Sequence, residues 1–431
     1  MAVVAAMGAV VLVASACSSS TDTSGTTKVT TLDPDAKVTI TWWTGQAADA
    51  EKLLEKLAGQ YESEHPNVTI DASAGAATTD DLLQKLQTGF ASGEYPDISY
   101  AYGSWASQLG ASGRTLDISD QVNAAGSGWD EFPEAARLTA SPDGVVIGLP
   151  AVVDNLGLIY NTKLFDAAGL DYPTNDWTWD DFRTAAKALT DSSRNQYGTA
   201  YPVSGTEDTT WRFWPQVWQN GGEVLDADGQ PAFNSQAGVD ALEMWRQMAV
   251  EDKSVYLDQN GEKYAPSFAS GNIGMIISGP WELYNLKQAG TDYGVTFLPG
   301  TDGSHQTISG PDVWVMLDHN DPDRAAATYD FINWLTEPAQ DVKWNVAYGN
   351  LPLRESAAST PQFQAFVKEY PGGDVFFENL NNATTPRPTV IGYTEMSSAV
   401  ADAIDRVLLA NADPKEELDK AADASKVALA Q

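Results

Sequence analysis

Cysteine is almost missing from this chain of 431 residues: Cys17 is the single one, so no intramolecular disulfide can form. Histidine is nearly as scarce, with only His65, His305 and His319, which leaves few nitrogen ligands for zinc. Metal and thiol chemistry are therefore not expected, and no cofactor is. Positive charge is short as well, with Lys+Arg 25 against Asp+Glu 59 and a formal net charge of −34. Such a balance repels phosphate backbones and anionic lipid surfaces, so nucleic acid is not an expected partner. The chain has no G-x-S-x-G elbow, Walker A loop, G-x-G-x-x-G or H-E-x-x-H, and four common enzyme classes lose their signature. No proline-rich linker divides residues 37–431.

Apolar and aromatic material is plentiful. Hydrophobic residues make up 43% and charged residues only 19%, with 14 Trp, 16 Tyr and 13 Phe, which rules out a disordered chain. At about 150 residues per domain, the length suggests two or three cores. The first 16 residues are uncharged, apolar and end in small residues, as a signal-peptide core does. Ala14-Ser15-Ala16-Cys17 resembles a bacterial lipobox, in which Cys17 takes a lipid and the peptide is cut before it. Two acyl chains would hold an otherwise soluble domain at the outer face of the cell membrane. Thr21 to Asp35, rich in Ser and Thr, reads as a flexible tether within residues 17–36.

Beyond the tether the pattern alternates strand and helix. Lys37 to Trp43 is β-rich, Ala47 to Glu64 amphipathic, Val68 to Ile70 a strand, Asp80 to Phe90 a helix and Asp97 to Tyr100 a strand. That rhythm predicts an open α/β sheet. Val145 to Leu149, Leu156 to Tyr160 and Ile273 to Ile277 are further strand candidates. Helices are predicted over 179–189, 238–250, 323–335, 338–347, 394–409 and 415–430. Asp226-Ala227-Asp228-Gly229 faintly suggests a calcium loop, but the glycine falls at the fourth position where an EF-hand needs the sixth, so a β-turn is expected.

Aromatic and polar residues gather where strands end: Trp42, Trp43, Thr44 and Gln46, then Tyr100, Tyr102 and Trp105. In open α/β sheets ligands sit beyond the carboxyl ends of strands. A sugar offers an apolar C–H face and a belt of hydroxyls, and asks for flat aromatic platforms with Asp, Asn, Gln and Arg around them. Trp211, Trp214 and Trp218 fall on one helical face; the last two fit a core as well as a site, whereas Trp211 stands at a loop-to-helix junction. Trp281 follows Gly279-Pro280 in a similar position.

The segment Gly148-Leu149-Pro150-Ala151-Val152-Val153-Asp154-Asn155, continuing through Leu158 to Asn161, Phe165 and Gly169, resembles the family-1 extracellular solute-binding proteins of ABC importers. Phe268 to Trp281, Gly310 to Val315, Ala325 to Gln340, Gly349 to Pro352 and Arg387-Pro388 follow in the same order, so the likeness runs from Val38 to the C terminus. The resemblance implies a two-lobed α/β fold of the periplasmic-binding-protein type II, with ligand held between the lobes. Three crossings near Pro150, Ile308 and Asn350 would divide residues 37–150 plus 308–350 from 151–307 plus 351–431. It further implies polar ligand contacts at Thr44, Gln46 and Asp154, aromatic platforms at Trp211 and Trp281, and cleft positions for Asp312 and Arg387. Trp43, Trp105, Asn155 and Trp314 complete the candidate set. Trp105, where relatives carry a polar residue, and Gly310-Pro311 in place of Gly-Gly point away from the common maltooligosaccharides.

The implied function is delivery of a carbohydrate to the transmembrane subunits of an ABC permease by a monomer that makes and breaks no bond. A secreted glycoside hydrolase, a surface adhesin, and a receptor for a polyol or glycerol phosphodiester are the alternatives. An aromatic platform covering about 50 Å² of sugar face is worth roughly 1 kcal/mol, far below the about 8 kcal/mol of micromolar affinity. Polar groups must supply the remainder and the selectivity.

Overall fold

A computed structural model describes residues 26–46, 48–77 and 79–430. The predicted leader, Cys17 and the first part of the predicted tether lie outside the described residues.

Strand β1 (Val38–Trp43) buries Val38, Ile40 and Trp42 on alternate positions. It lies between β2 (Val68–Ser73) and β3 (Ile98–Ala101), parallel to both. β4 (Gly148–Val152) closes the sheet through a strand from far along the chain, β11 (Asp312–Met316), which runs antiparallel to β3 and β4. The order is β2-β1-β3-β11-β4. Helices Ala48–Glu64, Asp80–Ser92 and Pro322–Leu335 accompany this sheet. Trp42 meets Trp314 and Phe331 edge-on, each at 5.2 Å, in the centre of the first lobe's core.

The second lobe is built on β5 (Gly157–Asn161), which pairs antiparallel with β8 (Met275–Ser278) and β9 (Tyr293–Thr296). A parallel pair, β6 (Thr199–Pro202) and β7 (Val255–Asp258), adds to it. Trp179–Leu189 begins where predicted because Thr178 and Asp181 form a reciprocal capping box. The long helices Tyr393–Ala410 and Pro414–Leu429 return to this lobe and pack on each other.

The lobes are joined by segments that lie side by side. Val153 bridges to Leu351 and Asn155 to Ser309, while β10 (Ile308–Ser309) pairs with β12 (Thr385–Pro386). A small apolar cluster of Phe132, Ala136, Val153 and Leu353 fills the junction.

Several expectations need correction. β4 starts three residues later than predicted, because Val146 pairs with Ile118 and Ser119 and the Ile147 N–H turns to Ala140, leaving only the Ile147 carbonyl to meet β11 at Met316. The Trp211–Trp218 segment is not one helix: it splits into Glu207–Trp211 and Trp214–Gln219. Pro215 has no N–H for a continuing helix and sits in the first turn of a new one. The predicted helix at 238–250 ends at Arg246 and passes into a π-helical turn, Gln247–Glu251. The tether does not stay free up to Asp35. The Thr27 N–H donates to Asp318 at 2.7 Å, Gln121 donates to the Val29 carbonyl at 2.8 Å, and Val29 is buried in the first lobe. Asp226–Gly229 is the expected turn, with the Asp226 carboxylate accepting from the N–H groups of Asp228 and Gln230.

Candidate functional site

A cleft of about 810 Å³ opens between the lobes. Of the predicted site residues, Gln46, Trp105, Asp154, Trp211, Trp281, Asp312 and Arg387 line it. They arrive from separate elements: Gln46 follows β1, Trp105 ends the turn Gly103–Trp105 after β3, Asp312 opens β11, and Asp154 lies just beyond β4. Arg387 follows β12.

Four predicted residues lie elsewhere. Thr44 is fully buried, its N–H donating to Ser73 and its hydroxyl to Glu51. Asn155 is fully buried in the junction, donating to the Phe376 carbonyl at 2.9 Å and accepting from Asn379 at 2.7 Å. Trp314 belongs to the first core, edge-on to Trp42 and Tyr100. Trp43 packs beside the same core with the Lys85 ammonium 4.0 Å over its ring. A register irregularity between Asp312 and Val313 lets Asp312 reach the cleft while Trp314, two residues on, stays inside.

The aromatic wall is a stacked pair. Trp211 and Trp281 lie with ring centroids 5.6 Å apart and planes 26° from parallel, and the Arg387 guanidinium sits 5.7 Å from the Trp211 centroid. Trp211 is only 8% exposed, so it backs the site, and Trp281, half-buried, is the ring that offers area to a ligand. Two glycines make this packing possible. A Cβ on Gly279 would stand 1.9 Å from Trp281 Cζ3, and one on Gly310 would stand 2.5 Å from Trp211 Cζ2 and 2.7 Å from Asp154 Oδ1. On the opposite side Tyr102 and Trp105 form a second aromatic pair, with centroids 4.7 Å apart.

Behind the aromatics lies a buried charge cluster. Asp312 accepts from the Tyr100 hydroxyl, from the Gly103 N–H at 3.1 Å and from Arg387 Nη2 at 3.3 Å. Arg387 Nη1 also stands 3.6 Å from Glu207, which accepts from the Tyr393 hydroxyl at 2.9 Å and from Ser397. Among the described residues Asp154 accepts only from the Gly310 N–H, at 3.1 Å. Burial pushes all three carboxyls up from their ordinary range, and at Asp154 the charge of Asp312 acts in the same direction. Arg387 stays charged: burial alone would lower it, but Glu207 and Asp312 outweigh that.

The candidate set omitted Tyr100, Tyr102, Glu207, Trp344, Asn350 and Ser397, which also line the cleft. Tyr100 and Tyr102 stood in the strand-end aromatic pattern. Glu207 is one acid among many, and Trp344 ends a short mixed helix where a lone tryptophan reads as core, so neither carries a local signal.

Two α/β lobes enclosing a polar, aromatic-walled cleft at their junction define a binding protein that holds a solute between its domains. The chain belongs to the bacterial extracellular solute-binding proteins, whose family model matches residues 56–371. It is similar to the cyclic alpha-maltosyl-1,6-maltose binding protein from Arthrobacter globiformis, with 26% identity, 91% of this chain and 99% of that one covered, and a TM-score of 0.79. An ABC substrate-binding protein from Listeria monocytogenes in complex with cycloalternan has 23% identity, 91% and 98% coverage and a TM-score of 0.80. The sn-glycerol-3-phosphate-binding periplasmic protein UgpB of Escherichia coli (strain K12) is 23% identical over 406 residues, which are 90% of this chain and 92% of that protein.

Proposed function

We propose that this protein is the receptor of a carbohydrate ABC importer, that the cleft binds a neutral oligosaccharide, and that closure of the lobes presents the loaded form to the permease. The observation that carries the reading is the half-buried Trp281 face, backed by Trp211 and set beside Asp154, Asp312, Arg387 and Gln46. A flat apolar ring next to clustered donors and acceptors matches the two faces of a pyranose. The ligands named for the Arthrobacter and Listeria proteins, cyclic alpha-maltosyl-1,6-maltose and cycloalternan, support an oligosaccharide that is not a simple linear maltodextrin.

A glycerol phosphate ligand, as named for UgpB, fits less well. Among the described residues lining the cleft, Arg387 is the single cation, and it is shared between Asp312 and Glu207. A phosphate there would face more negative charge than positive.

The division into lobes at the three crossings, the ligand-contact roles of the cleft residues, the monomeric state and the lipid anchor at Cys17 belong to the same proposal. Hinge motion about the Val153–Leu351 and Asn155–Ser309 bridges would bring the two aromatic pairs toward one another. Calorimetric titration of residues 26–431 with cyclic alpha-maltosyl-1,6-maltose, cycloalternan, maltotriose and glycerol 3-phosphate tests the reading. Saturable binding of an oligosaccharide recovered intact supports it, cleavage of that sugar would hand the protein to the hydrolases, and binding of glycerol 3-phosphate alone would replace the ligand. Loss of membrane retention in Cys17→Ala tests the anchor.

A further inference from the structure

We propose that Asp154 serves the cleft as a hydrogen-bond donor: its carboxyl group holds the proton that the buried acid cluster retains at neutral pH and offers it to an acceptor oxygen of the ligand. The inference rests on the reading of the cleft as a carbohydrate site, and it assigns Asp154 a role opposite to the acceptor role that a sugar-binding aspartate ordinarily takes.

Three carboxyls, Asp154, Asp312 and Glu207, surround one guanidinium, and Asp154, Asp312 and Arg387 are each no more than 8% exposed. Two buried carboxylates and the partly exposed Glu207 around a single cation would leave uncompensated charge, which a protein avoids by keeping a proton on the least stabilised buried acid. Asp312 has three donors, Tyr100, Gly103 and Arg387. Glu207 has two, Tyr393 and Ser397, with Arg387 Nη1 3.6 Å away as an ion-pair partner, and its side chain is 28% exposed. Asp154 has one, the Gly310 N–H. The groups that face Asp154 are Asp312 from β11, Tyr100 from β3 and Arg387 beyond β12; of these only Arg387 favours its ionised form, and Arg387 is already engaged by the other two acids. Burial and Asp312 both raise Asp154, in agreement with the donor count.

With one Asp154 oxygen held by Gly310, the other is left for the cleft that Asp154 lines. A second donor stands beside it. The Trp211 indole N–H is buried and, among the described residues, without a partner, and Trp211 Cζ2, two bonds from that nitrogen, flanks the same Gly310 as Asp154 Oδ1. A carboxyl O–H facing the cleft, with the indole N–H of Trp211 buried close behind, selects an oxygen that only accepts, such as a ring or glycosidic ether oxygen. An ammonium group there would find a neutral acid and a competing donor. The ligand class assigned is therefore a neutral glycoside, not an amino sugar.

The sign of the pH dependence follows. Affinity is full while Asp154 is protonated and falls as pH rises through its titration; a cationic ligand would show the reverse. Two measurements decide the matter. Carbon-13 spectra of aspartate-labelled, ligand-free protein, with the Asp154 carboxyl assigned by its loss in Asp154→Asn, are expected to keep that carboxyl at its protonated position at neutral pH. An ionised position there overturns the proposal whatever the ligand proves to be. In titrations with cyclic alpha-maltosyl-1,6-maltose between about pH 5 and about pH 9, Asp154→Ala is expected to lose about tenfold in affinity. Asp154→Asn, whose amide donates at every pH, should recover most of that loss and flatten the pH profile. An Asn variant as weak as the Ala variant, or a wild-type affinity that rises with pH, overturns the donor role. Failure of the wild type to bind any sugar overturns the carbohydrate reading separately, and the carboxyl spectrum still decides where the proton sits.

Discussion

At the scale of single residues the cleft separates into a binding face and its support. Trp281 and Trp211 look equivalent in the sequence, each a tryptophan at a junction, yet one is half-buried and the other is nearly enclosed by Trp281 and Arg387. Their substitutions should therefore differ. Trp281→Ala is expected to weaken oligosaccharide binding about tenfold, since loss of a platform and its desolvated surroundings is worth about 1 to 2 kcal/mol, while the thermal midpoint barely moves. Trp211→Ala opens a void beside a buried guanidinium and should cost stability, about 3 to 5 kcal/mol in denaturant unfolding, as well as affinity. Equal unfolding midpoints for the two variants would remove the distinction between platform and backing.

At the scale of elements the informative place is the end of the helix Pro338–Trp344. Asp341 accepts from the Leu353 N–H at 2.8 Å and from Asn345 at 2.9 Å, and Asn345 donates to the Ala151 carbonyl at 3.1 Å. One helix end thus ties two of the segments that join the lobes. Burial pushes the Asp341 carboxyl up to about 7, against the pull of Asn345, Leu353 and Arg354 toward lower values. Between about pH 4, where an unfolded aspartate titrates, and about pH 7 the folded chain keeps a proton that the unfolded chain has lost. The Asp341 contribution to stability therefore falls as pH rises through that window and is level above it. Asp341→Asn removes this slope. Relative to wild type, its thermal midpoint should rise by at least about 2 °C between those limits, and parallel curves for the two proteins would contradict the assignment.

At the scale of the whole molecule, ligand that touches both lobes stabilises the closed form over the open one by its difference in affinity for the two. An oligosaccharide at about 100 times its dissociation constant should add about 2.7 kcal/mol to unfolding stability. Small-angle scattering should record a smaller radius of gyration in the same sample. A stability gain with no change in shape would mean that binding is confined to one lobe, and the transport mechanism would need revision.

Much of this protein was legible along the chain. Periodicity placed the long helices and six of the twelve strands described, because burial of one face writes itself into local spacing. The aromatic and polar residues at strand ends pointed to the cleft, since the carboxyl ends of the strands in an open sheet converge there. Four of the eleven proposed ligand residues, Trp43, Thr44, Asn155 and Trp314, were drawn instead into cores and hydrogen-bonded junctions. What depends on partners distant in sequence was not legible: β11 entering the first sheet, Trp281 laid on Trp211, Glu207 and Asp312 meeting on Arg387. Local sequence determined which elements form and which residue types are on offer, because propensity and amphipathicity act over a few residues. Only the tertiary structure decided which of those residues share the cleft and which acid is left with a single donor, because burial and charge repulsion depend on contacts that chain order does not reveal.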